Sequence, residues 1–244
     1  MKQHEAVIEV MKANGGYATL GLLYRGVLQV PGVEWKSKTP FASIRRIVQV
    51  YDQFFKIRPG VWALEAYRDR LPSELLSPSD SIKPAVIEFN HSFYQGLLLE
   101  FGNLRNFTTY VPAQDKNRNF YEKKLIDVAT LKTMHRFTYP DIVPRVQYID
   151  VIWFNDRKMP HSVYEVEHST DMRDALLKFV ELQDFYTDFF IVADEVRKTH
   201  FERSIAFEAF KPIQKRVKFL SYESLTTLYE KSVELDLLHR KFGI

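Results

Sequence analysis

A chain of 244 residues with 45% hydrophobic and 14% aromatic content can bury a sizeable core and hold one large or two smaller domains. It has no cysteine, which excludes disulfides, thiolate-bound zinc and a cysteine nucleophile but leaves hard, oxygen-ligated metals open. The formal net charge is +3, yet residues 1–70 carry 11 Lys+Arg against 6 Asp+Glu, so it is the N-terminal part that suits a polyanionic partner.

Residues 4–13 read as a helix with Ala6, Val7, Val10 and Met11 on one face, stopped by Asn14-Gly15-Gly16. Glu5 and Glu9 fall where a signal peptide would be apolar, and no run approaches the ~18 apolar residues of a membrane span. The expectation is a cytoplasmic protein with no membrane segment. A second helical pattern starts at Thr19 and closes near Pro31-Gly32. Thr39-Pro40 opens a third, as N-cap and first helical residue, with Phe41, Ile44, Val48 and Tyr51 inward and Ser43, Arg45, Arg46 and Gln49 outward. Residues 54–57 and 61–64 then form a hairpin signal around Arg58-Pro59-Gly60.

Residues 66–85, with their prolines and serines, read as a linker. A helix over residues 87–104 and a strand over 107–111 follow, whereas residues 113–133 give no clear pattern. Further on, the spacing predicts a helix over 171–186, a strand over 189–192, a helix over 198–210 and a strand over 217–221 leading into a C-terminal helix. This order indicates an α/β domain around a mixed sheet.

Between these halves, residues 145–170 read as two strand-like runs joined by a polar turn at 155–158. They carry Asp150, Glu165 and Glu167 where a strand normally carries apolar residues. A pleated strand projects Glu165 and Glu167 from one face, roughly 6.5 Å apart, while Tyr164 and Val166 face the other way. Like charges beside a buried sheet are costly unless a cation or a proton resolves the repulsion, and a divalent metal is the simplest resolution. His91, His135, His161 and His200 show no ligand spacing.

Two family resemblances follow. The run KSKTPFASIRRIVQVYDQFFKIRPGVWAL, residues 36–64, resembles the winged-helix modules attached to restriction enzymes and chromatin proteins. The resemblance implies a third helix in the DNA major groove, with Lys38, Ser43, Arg45, Arg46 and Gln49 near DNA and Arg58 on the wing. A module that only packs against protein is the alternative. Asp150, a 14-residue interval and then Glu165-Val166-Glu167 resembles the PD-(D/E)XK nuclease superfamily, over residues 87–221. That resemblance implies a restriction endonuclease-like mixed sheet flanked by helices. It also implies Mg²⁺, with Mn²⁺ able to substitute, held by Asp150, Glu165 and the Val166 carbonyl, with Glu167 either coordinating a second ion or accepting the proton of the attacking water. Glu100 on the preceding helix matches an acidic position that helps hold the metal, and His168 is placed to contact the leaving phosphate. The usual lysine of the motif is here Glu167, as in some restriction enzymes with Glu-x-Glu.

The expectation is therefore a winged helix over residues 1–66, a linker over 67–86 and a nuclease domain over 87–244. Such a protein would be a Mg²⁺-dependent restriction endonuclease that cuts double-stranded DNA as a homodimer. Two alternatives stay open: an inactive DNA-binding regulator, for which Glu167 is the best argument, and a nuclease of recombination, transposition or repair that selects DNA by structure instead of sequence.

Overall fold

The computed structural model describes residues 1–77, 84–168 and 171–243. The chain divides into two compact units, Met1–Pro78 with Thr226–Ile244, and Ser79–Leu225. Among the described residues, no helix is long and apolar enough to cross a membrane.

In the first unit, α1 (Gln3–Ala13) buries Ala6, Val7 and Met11, and the Glu5 carboxylate accepts from the Lys2 N–H at 2.7 Å. Gly15 and Gly16, at φ 73° and 91°, turn the chain into β1 (Tyr17–Thr19). The Thr19 hydroxyl caps α2 (Leu20–Val27) by accepting from the Leu22 N–H at 3.2 Å. In α3 (Pro40–Val50), Pro40 takes the first turn as expected. Thr39 is the N-cap by position, but its hydroxyl pairs with Ser37 at 3.3 Å and makes no capping bond. Ile47 fills the buried stripe in place of Tyr51, which lies past the helix end and is exposed.

Strands β2 (Phe54–Arg58) and β3 (Val61–Leu64) form the expected antiparallel hairpin. Gly60 between them has φ 78°, and a Cβ there would meet Thr226 Cγ2 at 2.1 Å, so glycine is required by both backbone and space. Strand β1 pairs antiparallel with β3, giving the order β1-β3-β2. Three residues are too few for an alternating pattern, which is why β1 was not expected.

The segment expected as a linker is partly regular. Residues 65–70 form a 3₁₀ turn held by the Glu65–Arg68 ion pair, and α4 (Ser73–Leu76) buries Leu75. Residues 78–83 of that segment lie outside the described residues.

From Thr226 onward the C-terminal helix, Tyr222–Phe242, belongs to this first unit and brings Glu230 to 3.6 Å from Arg45. Burial pushes the Glu230 carboxyl from an ordinary 4.5 up to about 7, although Arg45 opposes the shift. The folded protein therefore holds a proton there that the unfolded chain releases. The contribution to stability is full below pH 4.5 and is lost as pH rises through about 7. Glu230→Gln is expected to flatten the fall in stability between these limits by on the order of 2 kcal/mol. Melting temperatures of both proteins from pH 4.5 to 8 measure it; parallel curves would remove Glu230 as the cause.

The second unit begins with α5 (Pro84–Leu104), followed by β4 (Thr108–Tyr110). Residues 113–133, without a clear pattern in sequence, contain the two-residue strands β5 (Asn119–Phe120) and β6 (Lys123–Lys124) and the single turn α6 (Leu125–Val128). After α7 (Val143–Val146) come β7 (Val151–Phe154) and β8 (Pro160–Glu167), joined by a turn at 155–158 in which Lys158 has φ 61°. Then follow α8 (Met172–Val180), β9 (Asp188–Ala193), α9 (Lys198–Ile205), β10 (Val217–Ser221) and the start of α10 (Tyr222–Phe242). Helix α8 stops six residues short of the expected end, and α9 gives way to a 3₁₀ turn at Glu208–Phe210.

The five-stranded sheet runs β10-β9-β8-β7-β4. β7 is antiparallel to both of its neighbours, β4 and β8, while β8, β9 and β10 are parallel, so β8 is where antiparallel pairing gives way to parallel. Helix α8 is the crossover between the parallel pair β8 and β9. This is the mixed α/β sheet expected from the element order. One face packs Ile152, Phe154, Val163, Phe189 and Ile191 with Leu176 and Phe179 of α8 in a single core. On the other side Trp153 donates its indole N–H to the Leu98 carbonyl of α5 at 3.0 Å.

Candidate active site

The β7–β8 hairpin sets the site. Its register pairs Val151 with Tyr164, so Asp150, just before β7, falls beside the end of β8 that carries Glu165 to Glu167. There β7 offers no further ladder bond, and the Val166 N–H instead donates to Asp150 Oδ2 at 2.8 Å. Asp150, Glu165 and Glu167 are 6%, 2% and 7% exposed, so three acids lie in a region largely closed to water.

Each acid has a distinct environment. Arg118 donates to His91 Nδ1 at 3.0 Å, which leaves Nε2–H to donate to Asp150 Oδ2 at 3.1 Å. Burial pushes the Asp150 carboxyl up, but the His91 ring, the Lys178 charge and the Val166 N–H outweigh it and hold its pKa below the ordinary range. Glu165 goes the other way: burial and the neighbouring Asp150 raise it well above the ordinary value, against the pull of Lys178. The Glu167 carbonyl lies 3.5 Å from the Tyr222 hydroxyl, which donates to it.

Helix α5 supports this arrangement through residues not singled out in sequence. Gln95 Nε2 donates to the Asp150 carbonyl at 3.2 Å and to Asp115 Oδ2 at 2.9 Å, and Arg118 Nε lies 3.0 Å from Asp115 Oδ1. Among the described residues, His91, Asp115 and Asp150 have ligand atoms all within 4.8 Å of one another, a spacing that Asp150, Glu165 and Glu167 do not reach together. Glu100, expected at the metal, lies nine residues beyond His91, about 13 Å along α5. His91 and Gln95 are the α5 residues that reach Asp150. His168 sits just past β8 with its Nδ1 3.5 Å from Asn90 Nδ2, and its carbonyl accepts from Arg197 at 2.5 Å.

Sequence reasoning missed Lys178 of α8, whose ammonium lies 2.8 Å from both Glu165 oxygens and 3.2 Å from the Tyr148 carbonyl. Its signal was its place at the edge of the buried stripe of Ala175, Leu176 and Phe179, three residues after Ala175. His91 was passed over because its partners lie 27 and 59 residues away in sequence.

Of the residues expected at DNA, Lys38, Arg46 and Gln49 are exposed and Ser43 is half-buried. Ser43 and Arg46 line a groove of about 550 Å³ with Gln3, Ile47 and Tyr51. Arg45 turns to the Glu230 carboxyl, 3.6 Å away. Arg58 is a correction: it is 4% exposed and donates to the Leu75 carbonyl at 2.8 Å, a buried strut instead of an exposed wing contact.

A mixed sheet flanked by helices, with acids gathered where an antiparallel hairpin meets a parallel strand, defines the class as an α/β domain built around a buried carboxylate cluster. Within that class, the family described as the type II restriction enzyme NmeDI C-terminal domain matches residues 71–242, and the chain belongs to it. The type II restriction enzyme NmeDI of Neisseria meningitidis serogroup C is 27% identical over 169 residues, covering 63% of this chain and 46% of that protein. The match thus spans about half the length of that relative. No solved structure matches the chain.

Proposed function

We propose that this chain is a type II restriction endonuclease of the PD-(D/E)XK kind, cutting double-stranded DNA through the carboxylates of the β7–β8 hairpin. The observation that carries the reading is the bond from the Val166 N–H to Asp150 Oδ2 at 2.8 Å, which ties Asp150 to the strand bearing Glu165 and Glu167. Membership of a restriction-enzyme family supports the substrate.

The donor set fits a hard divalent ion. Mg²⁺ needs only one or two carboxylates and keeps several waters, so Asp150 and Glu165, with the Val166 carbonyl, would hold it, and Mn²⁺ would substitute. When bound, the ion supplies charge for the scissile phosphate and a water acidic enough to attack near pH 7. The protein's own groups do the rest. His91 and the Val166 N–H fix the Asp150 carboxylate, and Glu167 accepts the proton of the attacking water. His168, just past β8, would contact the leaving phosphate.

The order helix, strand, helix, helix, strand, strand in residues 3–64 supports a winged helix over 1–66 that docks on DNA, joined by residues 67–86 to a nuclease domain that starts at 87, its expected end at 244 including the stretch from Thr226 that clusters with the first unit. The proposed setting is a cytoplasmic homodimer, one active site per DNA strand. Plasmid cleavage in Mg²⁺, Mn²⁺ and EDTA tests the activity: cutting in the first two and none in EDTA is expected. For docking, Lys38→Ala with Arg46→Ala is expected to weaken duplex binding about 10-fold and to lower the salt slope by about 2. Anisotropy titrations at several salt concentrations measure this, and an unchanged slope would move DNA off α3.

A further inference from the structure

Three buried acids, Asp150, Glu165 and Glu167, lie at or beside the end of β8, and the strand position where the motif has its lysine is itself acidic, Glu167. The cation comes instead from the crossover helix. Lys178 Nζ is equidistant from the two oxygens of Glu165, 2.8 Å from each, and its third donor reaches the Tyr148 carbonyl at 3.2 Å. An ammonium has three N–H donors, and all three are thereby used.

This is not an ordinary surface pair. The Glu165 side chain is 3% exposed and that of Lys178 26%, so the carboxylate is shielded while the lysine keeps a path to water. Surface pairs contribute little, but removing one partner of a shielded pair leaves a buried charge uncompensated. The four-carbon stem of lysine lets its head swing away without moving α8, which Ala175, Leu176 and Phe179 anchor in the core.

We infer that Lys178 is the resident counter-cation of this site, covering both Glu165 oxygens in the metal-free protein, so that a divalent ion reaches them only by displacing it. The inference rests on the metal-dependent nuclease reading of the same residues. It makes Lys178 a positioning residue that keeps the acid cluster folded without metal and sets the affinity for metal.

The test uses the full chain and Mn²⁺ alone as probe, with calorimetric titration and thermal unfolding in EDTA and in Mn²⁺. Lys178→Met is expected to bind Mn²⁺ about 10-fold more tightly than the wild type, because the ion no longer competes with an ammonium. It should also unfold at a lower temperature in EDTA and gain more from Mn²⁺ than the wild type does. Lys178→Gln, which keeps a hydrogen-bond donor and so guards against a variant that does not fold, should show the same tighter binding. Lys178→Arg should remain close to the wild type. A wild type that binds Mn²⁺ through Glu165, with Lys178→Met and Lys178→Gln no tighter, overturns this inference and leaves the nuclease reading standing. A wild type that binds no Mn²⁺, or binds it as well after Glu165→Gln, overturns both.

Discussion

Glu165→Gln is expected to lower Mg²⁺-dependent plasmid cleavage by about 10³-fold or more while leaving duplex affinity in EDTA within about twofold. Glutamine matches the shape of glutamate and its Oε1 can still accept from Lys178, so no cavity opens, although only one of the two 2.8 Å contacts can be kept. What it removes is the charge. Asp150 would then be the remaining carboxylate of the pair proposed to hold the ion, and its own contacts to His91 and the Val166 N–H do not depend on Glu165. Nicking and linearisation of supercoiled plasmid report the rate, and anisotropy with labelled duplex reports the binding. A variant that cuts at the wild-type rate would remove Glu165 from the chemistry, and one that loses DNA as well would show damage to the fold.

Trp153→Ala is expected to destabilise the unit that carries it by about 3–5 kcal/mol. Trp153 is fully buried in β7, three residues after Asp150. Its ring lies against Phe101, Phe107 and Tyr164, with centroids 5.2, 5.4 and 4.7 Å away, and its indole N–H holds the Leu98 carbonyl. Gly102 is small because of it: a Cβ there would come within 2.6 Å of Trp153 Nε1. No neighbour can fill the void, since these contacts come from α5, β8 and the chain before β4. A melting temperature lower by about 10 °C is the readout. A loss under about 1 kcal/mol would show that the α5 face repacks. Cleavage measured well below the melting range should fall less than for Glu165→Gln, because Trp153 supports Asp150 without touching the reacting groups.

The hairpin and its acids were legible because they are local. Asp150 and Glu165 are separated by one strand, one turn and most of a second strand, all patterned by β-branched and aromatic residues. Mixed strand order followed from the alternation of helices and strands. The cation was not legible, since Lys178 reaches Glu165 only after a helical crossover whose pitch a strand-by-strand reading does not follow. Glu100 misled for the opposite reason: helix periodicity gives a face but not the turn that meets Asp150. Arg58 misled because a charged residue in a turn reads as exposed, whereas its guanidinium finds the Leu75 carbonyl in α4. The groups around Asp115 were invisible because two-residue strands and single helical turns leave no period to detect.

The change of strand direction at β8 also bears on the order of assembly. Its antiparallel partner β7 is one short turn away and can close in about 1–10 μs, whereas its parallel partner β9 waits for the α8 crossover to fold. A hairpin that closes first would bring Asp150 beside Glu165 before α8 delivers Lys178. Ionic strength and divalent ions should therefore act on the rate of folding through this hairpin, a kinetic sensitivity written into the topology.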